Sequence, residues 1–446
     1  MKVLLLAFEY LPVKVGGLAE AVTSIAEGLA KVGHEVLVFT PSHGRIEGEQ
    51  VADFRITAFG GEFEVKAYER NQNGVRVFAL SDVLLDNPDV YGPGWEGLLQ
   101  KTVHFGKASA GLLNELLKNE KKPEALHAHD WHTVFAAALI KKYFHIPLTA
   151  TIHRLNKSKI PGHFFHDAQV GELAPYPDID PEHTLAYIAD AVTTVSKSYM
   201  WEEWGFFGMF EGKVTHVFNG IDCSFWNEAF LSGDRKERRK KILEKFGMSD
   251  GKTFMFIGRF DKAQKGVDTL FHAIELLSKD PAFNEMRFIV IGKGDPGLER
   301  WAHAMENRFP NFKAVTRLLK REEARELYGS VDFVIIPSYF EPFGLVQLEA
   351  MCLGAIPIAS AVGGLRDTII DIDADPENAT GILVPPRDSF ALARAMIRAK
   401  ELDEETLNRL RTNGKVRVKA FTWESACRRY VEVYRDNTDK AISFIR

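Results

Sequence analysis

Two carboxylates frame the stretch SYFEPFGLVQLEAM at residues 338–351, with Glu341 and Glu349 on either side of Gly344. A carboxylate pair flanking one bond is the equipment of a glycosidase. These two are too differently placed for that: the apolar run IIP ends a strand and LVQLEAM reads as helix, which leaves Glu341 in the loop and Glu349 one to two turns into the helix. Between them the N–H groups of Gly344, Leu345 and Val346 form a helix start that favours an anion.

Other stretches carry anion-seeking groups. KVGGLAE sets Lys14 before Gly16 and Gly17 at the turn from the first strand into the first helix, either a phosphate site or an ordinary tight turn. GRFDKAQKG carries Arg259 and Lys265 at the end of a strand, where open α/β sheets bind ligands; two cations there suit a diphosphate, although an isolated Arg and Lys ordinarily read as surface charge. GKGDPG (292–297) matches the dinucleotide fingerprint, but Pro296 lies inside the turn and the next strand ends without an acid for a ribose, so a plain strand-to-helix turn is the default.

HAHDWH gathers His127, His129 and His132 around Asp130 and at first resembles a metal cluster. His127 and His129 share one strand face, however, the third histidine falls on the following helix start, and no outlying ligand completes the set. The expectation is therefore no metal and a polar wall, with Asp130 accepting hydrogen bonds and Trp131 packing.

The elements that must position these residues alternate. Buried strands are expected at Lys2–Phe8, HEVLVFTP, EALHAHD, PLTATIH and DAVTTVS, interleaved with helical patterns such as Leu18, Val22, Ile25, Leu29 and Val32. Residues 51–79 alternate apolar and polar between turns and read as an antiparallel insertion or sheet extension. Residues 154–188 read as a long functional loop. A second series, at TFMFIGR, MRFIVIG, VDFVIIP, AIPIAS and GILV, makes a second doubly wound unit.

A chain of 446 residues is too long for one core, so two domains are expected. A net charge of −5 and a sequence pI near 6.3 give no footprint for nucleic acid. The basic run DRKERRKKILEK (234–245) alternates with acids and reads as a solvated helix face. Cys223, Cys352 and Cys427 are far apart in sequence, without a zinc or disulfide pattern, which fits a reducing, cytoplasmic setting. The apolar start is cut short by Glu9 and Pro12 and reads as a buried strand rather than a signal peptide, and no apolar run reaches the roughly 18 residues of a membrane span.

Taken together, Lys14-x-Gly16-Gly17, HAHDWH, TIH, FNGID, Arg259 and Lys265 before a glycine, EPFGLVQLE and SAVGGLRDT occur in the order and spacing of the glycogen and starch synthases. The chain resembles that family from Lys2 to about Tyr434, and most of all its compact archaeal-type glycogen synthases. The resemblance implies an α/β protein of GT-B fold, with two doubly wound Rossmann-like domains facing across a deep cleft. The N-terminal, acceptor-side domain would span 1–217, the nucleotide-sugar domain 218–422, and a last helix, 423–446, would cross back to the first.

The implied activity is retaining transfer of glucose from ADP-glucose or UDP-glucose to an α-1,4-glucan, without metal or other cofactor, nucleic acid or membrane. In that scheme Arg259 and Lys265 clamp the diphosphate, Glu341 holds the donor glucose, and Glu349 the ribose. His153 meets the glucose 6-hydroxyl and Asp130 lies near the reacting sugar. Lys14, Gly16, Gly17, Gly344 and Leu345 serve the phosphates, Asn219 lines the cleft, and Glu9 and Tyr10 face the acceptor. Three departures bear on nucleotide and acceptor: Arg154 follows His153 where many bacterial relatives have Asn, the Arg259 to Lys265 spacing is one residue longer, and Glu349 departs from many bacterial and plant members and resembles the wider set of retaining transferases. With no nucleophile evident, the resemblance implies a front-face reaction in which the leaving phosphate takes the acceptor's proton. The alternatives are a retaining transferase for another acceptor, a non-catalytic nucleotide-sugar-binding protein, and a phosphorylase carrying pyridoxal phosphate on a lysine.

Overall fold

A computed structural model describes residues 1–445, with side-chain surroundings through Asn437. Two units emerge: one comprises Met1–Val195, Glu203–Asn219 and Trp423 onward, the other Ser196–Glu202 and Gly220–Thr422. Each is built on its own sheet.

In the first unit the continuous apolar run of β1 (Lys2–Leu6) is buried throughout, because it lies between two parallel neighbours. On one side follow β2 (Glu35–Pro41), then β5 (Val75–Ser81), β4 (Gly61–Gln72) and β3 (Glu49–Ala58); on the other β6 (Ala125–His129), β7 (Leu148–Ile152), β10 (Ala191–Thr194) and β11 (Val214–His216). The nine-stranded sheet is parallel from β11 to β5, and the 51–79 region extends it through antiparallel β4 and β3. Strand order reverses between β1 and β6, so the loops leaving these two strands flank a topological switch point.

Residues 154–188 are not a bare loop. They hold a two-stranded ribbon, β8 (Ile160–Pro161) with β9 (Asp178–Ile179), and a helix, Pro181–Ile188, capped by the Asp180 carboxylate. A 23-residue helix, Gly94–Leu116, covers the sheet although its sequence gives no clean stripe, because Lys101, His104 and Ser109 are buried among its apolar residues.

The last helix, Trp423–Ile445, packs on the first, Gly17–Lys31. Contact is close enough that a β-carbon on Gly28 would stand 2.5 Å from the Cys427 sulfur. Further along it, the Tyr434 hydroxyl lies 2.7 Å from His127 Nδ1 and the Asn437 amide donates to the Thr149 hydroxyl at 3.1 Å.

The second unit holds six parallel strands in the order β14 (Phe312–Val315), β13 (Met286–Ile291), β12 (Lys252–Ile257), β15 (Phe333–Ile336), β16 (Ile356–Ser360), β17 (Ile382–Val384). Its switch point lies between β12 and β15. Ser196–Glu202 joins this unit because its polar groups bond there: Ser198 donates N–H and hydroxyl to Asp367 at 2.8 and 2.7 Å, and Gly363 N–H donates to Glu202 at 2.8 Å.

The basic run is solvated along Lys236, Glu237, Lys240, Lys241, Glu244 and Lys245, and the expectation is corrected only on its other side. Helix Arg235–Lys245 is not a solvated face on its inner side: Arg235 donates to the carbonyls of Tyr328, Val331 and Leu353, and Arg239 pairs with buried Asp332 at 3.0 Å. Burial pulls the Arg235 guanidinium down to about 10. No helix among the described residues is long and apolar enough to cross a membrane.

Candidate functional site

In the first unit the chain leaves β1 and stays buried through Glu9 and Tyr10. One Glu9 oxygen accepts the N–H groups of Val15 and Gly16 at 2.7 and 3.1 Å, and Tyr91 donates its hydroxyl to the other. Glu9, 2% exposed with both oxygens engaged, therefore shapes the turn that carries Lys14, Gly16 and Gly17, which corrects its expected place against the acceptor. The helix opening there has no side-chain cap, and a β-carbon at Gly16 or Gly17 would meet nothing within 4 Å, so ligand can approach the backbone closely. Lys14 pairs with Glu20 of the first turn at 2.6 Å. Tyr10 is a correction: it does not face an acceptor but packs in the core with Val3, Val22 and Val38, where burial raises its phenol above the usual range.

Asp130 follows β6 with φ 58° and ψ 169°, a conformation that costs a non-glycine residue about 1–3 kcal/mol. Its N–H donates to the Thr151 carbonyl at 2.9 Å, and its own carbonyl accepts the Thr133 hydroxyl at 2.8 Å. Carboxylate Oδ1 accepts the His153 N–H at 2.7 Å. Burial outweighs that bond and pushes the Asp130 carboxyl up to about 8. His153 Nε2 lies 3.0 Å from His129 Nδ1, and His127 Nε2 lies 2.6 Å from the Thr151 hydroxyl, with its other nitrogen at Tyr434. His132 stacks on Phe8 with ring centres 5.1 Å apart. The described residues include no group of three or more His, Cys, Asp or Glu that could hold a metal ion. Asn219 is buried at the point where the first unit ends.

These histidines make a pH prediction. Burial holds His43 and His153 at about 4, His127 and His132 at about 3, and His129 well below its ordinary value. Unfolded, each titrates near 6.5, so between about pH 6.5 and 4 the unfolded chain binds more protons and stability falls as pH falls. Asp130 has the opposite sign: its raised value gives stability that is present in acid and lost as pH rises through about 8. The histidines outnumber it, so the melting temperature should drop between pH 7 and pH 5, and Asp130→Asn should steepen that drop. Thermal melts of both proteins across this range check the sign; a melting temperature that holds or rises in acid contradicts it.

In the second unit the loop after β12 carries Arg259 and Lys265, and the loop after β15 carries Glu341. Lys265 Nζ donates to Glu341 Oε2 at 2.6 Å, and Ser338 donates its hydroxyl to the same oxygen at 3.1 Å. Both carboxylate and ammonium are largely buried, with side chains 9% and 21% exposed. Arg259 is not drawn into this pair; it is mostly exposed, 3.7 Å from Asp261. The Glu341 peptide is gripped from behind, where Gly364 N–H donates to its carbonyl at 3.0 Å and a β-carbon on Gly363 would stand 2.0 Å from the same oxygen.

Gly344 takes φ 80° just before helix Val346–Cys352, whose N-cap Leu345 offers no side-chain bond. The Gln347 amide ties that entry down by donating to the carbonyls of Phe343 and Gly344 at 3.1 and 2.9 Å. Glu349 has a different partner from Glu341: it accepts the hydroxyl of buried Tyr328 at 3.0 Å. The two carboxylates thus serve different groups.

The glycines of GKGDPG have a packing task. A β-carbon on Gly292 would stand 2.1 Å from the Gly258 carbonyl oxygen and one on Gly294 2.4 Å from that of Phe260, so they admit the loop that carries Arg259. Tyr91, Ser338, Tyr328, Gln347 and Gly363 are partners that spacing alone does not reveal; only the Gly-Gly of SAVGGLRDT marks its place in the sequence.

Residues 2–217 match the family described as starch synthase catalytic domain, and residues 251–401 that of glycosyl transferases group 1. Among curated proteins, a glycogen synthase of Geobacter metallireducens is 28% identical over 98% of this chain and 99% of its own length. One from Hydrogenobaculum is 29% identical, covering 98% of each. Among solved structures, the catalytic domain of starch synthase IV from Arabidopsis thaliana, bound to ADP and acarbose, has a TM-score of 0.84 at 24% identity, covering 98% of this chain and 99% of that one. A sucrose-phosphate synthase from Thermosynechococcus elongatus scores 0.70 at 22% identity, covering 98% of each.

Proposed function

Because the chain belongs to the family of glycogen and starch synthases, glycosyltransferases of GT-B fold, we propose that it extends an α-1,4-glucan by transferring glucose, with retention, from a nucleotide-activated glucose. The observation that carries this reading in the site is the Lys265–Glu341 pair at the switch point of the second sheet. In the free protein each neutralises the other. A nucleoside diphosphate glucose supplies replacements for both: its diphosphate takes the ammonium, and a glucose hydroxyl donates to the carboxylate.

The chemical demand is to expel the diphosphate from C1 of glucose. Negative charge grows on the departing oxygen, so Lys265, Arg259 and the N–H groups of Gly344 and Leu345 stabilise the transition state more than the ground state. Glu349 holds the ribose in this reading. For the first unit the proposed roles, Lys14, Gly16 and Gly17 toward phosphate, Asp130 and His153 toward glucose and Asn219 toward the donor, rest on the likeness to the family. Glu9 acts through the turn it shapes. The leaving phosphate accepts the proton of the glucan 4-hydroxyl, which arrives on the same face.

These cations do the work a divalent ion does elsewhere in phosphate chemistry, so the reaction is proposed to need no metal and no other cofactor. Activity should survive an excess of chelator unchanged; a loss that added Mg²⁺ restores contradicts this. We propose, on the same reading, that the protein works in the cytoplasm.

The direct test supplies ADP-glucose or UDP-glucose with glycogen and follows nucleoside diphosphate release together with incorporation of glucose. One donor should yield a longer glucan that an α-1,4-specific exo-acting amylase digests. Release of nucleotide without chain growth, with either donor, overturns the proposal.

A further inference from the structure

Cys223 and Cys352 are 129 residues apart in sequence, yet their sulfurs lie 3.7 Å apart. Their backbones have distinct duties. Cys223 sits just past the crossing into the second unit, two residues beyond Ile221, which pairs with Thr422 and donates its N–H to the Phe421 carbonyl at 2.9 Å. The chain's entry to this unit and its exit are thereby pinned side by side. Cys352 is the last residue of helix Val346–Cys352 and lies one turn after Glu349.

Both thiols are half-buried, whereas Cys427 is fully buried with its sulfur against the Ile25 carbonyl. A disulfide needs its sulfurs about 2.05 Å apart, and side-chain rotation with a small backbone shift covers the difference. The helix end is held: Arg235 donates to the Leu353 carbonyl, and Ala355 N–H to that of Ala350 at 2.9 Å. Closure therefore draws the Cys223 side inward, and with it the turn in which Asp222 Oδ1 accepts the N–H groups of Ser224 and Phe225.

We propose that Cys223 and Cys352 are a modification site: they form a reversible disulfide that ties the entry segment of the second unit to the helix carrying Glu349, and the oxidised protein turns over more slowly. The effect on turnover rests on the function proposed above; the disulfide itself does not. Its bond with Cys352 holds the Cys223 thiol down at about 7, with help from Lys419 and against burial and Asp222, so Cys223 is the attacking thiolate. It displaces one thiol from a small disulfide such as oxidised glutathione. Cys352 then loses its proton and attacks the Cys223 sulfur, expelling the second. Two electrons and two protons pass from the pair to the reagent.

The test incubates the full chain with oxidised glutathione or with dithiothreitol. Oxidation should lower the thiols counted after denaturation from three to one, link Cys223 to Cys352 in a peptide map, and reduce turnover several-fold, all reversed by dithiothreitol. Cys223→Ser and Cys352→Ser should each keep the basal turnover and lose both responses. Three thiols remaining, a link through Cys427 or to a second chain, or a Cys223–Cys352 link that leaves turnover unchanged overturns the proposal. Absence of glucosyl transfer in the reduced and the oxidised protein alike, with the link present, overturns the proposed function and the control of turnover while leaving the disulfide standing.

Discussion

Replacing Lys265 with alanine is expected to lower turnover by roughly 100- to 1,000-fold, the usual effect of deleting one fixed donor aimed at developing charge. The structure adds a second consequence. Glu341 would keep only the Ser338 hydroxyl, and its carboxylate, 9% exposed, would be left without a counter-charge. Stripping one partner from a buried pair costs about 3–5 kcal/mol, and the partial exposure of Lys265 lowers that to about 1–3 kcal/mol. Arg259→Ala separates the two effects: turnover should fall by a similar order, while stability holds, because this side chain is 55% exposed and loosely paired. Single-turnover assays with saturating donor and thermal melts measure both. A folded Lys265→Ala protein with unchanged turnover removes Lys265 from the diphosphate.

Gly363→Ala should be among the most damaging single methyl groups in the second unit's site. The new β-carbon would overlap the Glu341 carbonyl oxygen at 2.0 Å and its carbon at 2.9 Å, from a residue whose φ of 43° already disfavours a side chain. Neither the peptide nor the helix behind it gives way cheaply, so a loss of about 2–4 kcal/mol is expected. The relief available is a shift of the Glu341 peptide. Displacement of a positioning group by about 1 Å costs on the order of 100-fold in rate, so the surviving folded enzyme should be slow as well as unstable. Chemical denaturation and turnover measured below the new midpoint test this; wild-type values in both would show that the loop is slack.

The strands that hold the site were legible because a parallel strand buried on both faces must be mostly apolar, as β1, β12 and β15 are; β6 was legible although two of its five residues are histidines. The residues proposed to bind ligand were expected at strand carboxyl ends, and Asp130, Arg259 and Glu341 do follow β6, β12 and β15. What escaped depended on partners distant in sequence. The arginines of 235–239 look solvated until Asp332 and the carbonyls of Tyr328 and Val331, more than 90 residues on, come beneath them. Helix Gly94–Leu116 escaped because Lys101 finds buried acceptors in the Asn87 and Asp89 carbonyls, which breaks the expected apolar period. Tyr10 took its expected place from the resemblance alone, and nothing local says that it and Glu9 both point inward.

The docking of the last helix on the first dictates the order in which the protein can be finished. The groove at Gly28 and the ring of His127 receive their partners, Cys427 and Tyr434, only when the end of the chain exists. Between Asn219 and Trp423 a ribosome must make all of the second unit except Ser196–Glu202, which takes about 10 to 40 s at about 5–20 residues per second. During that interval the nascent first sheet stands with an apolar groove uncovered. The second unit ends at Thr422, so in the cell it is expected to complete its own core before the part of the chain that was synthesised ahead of it.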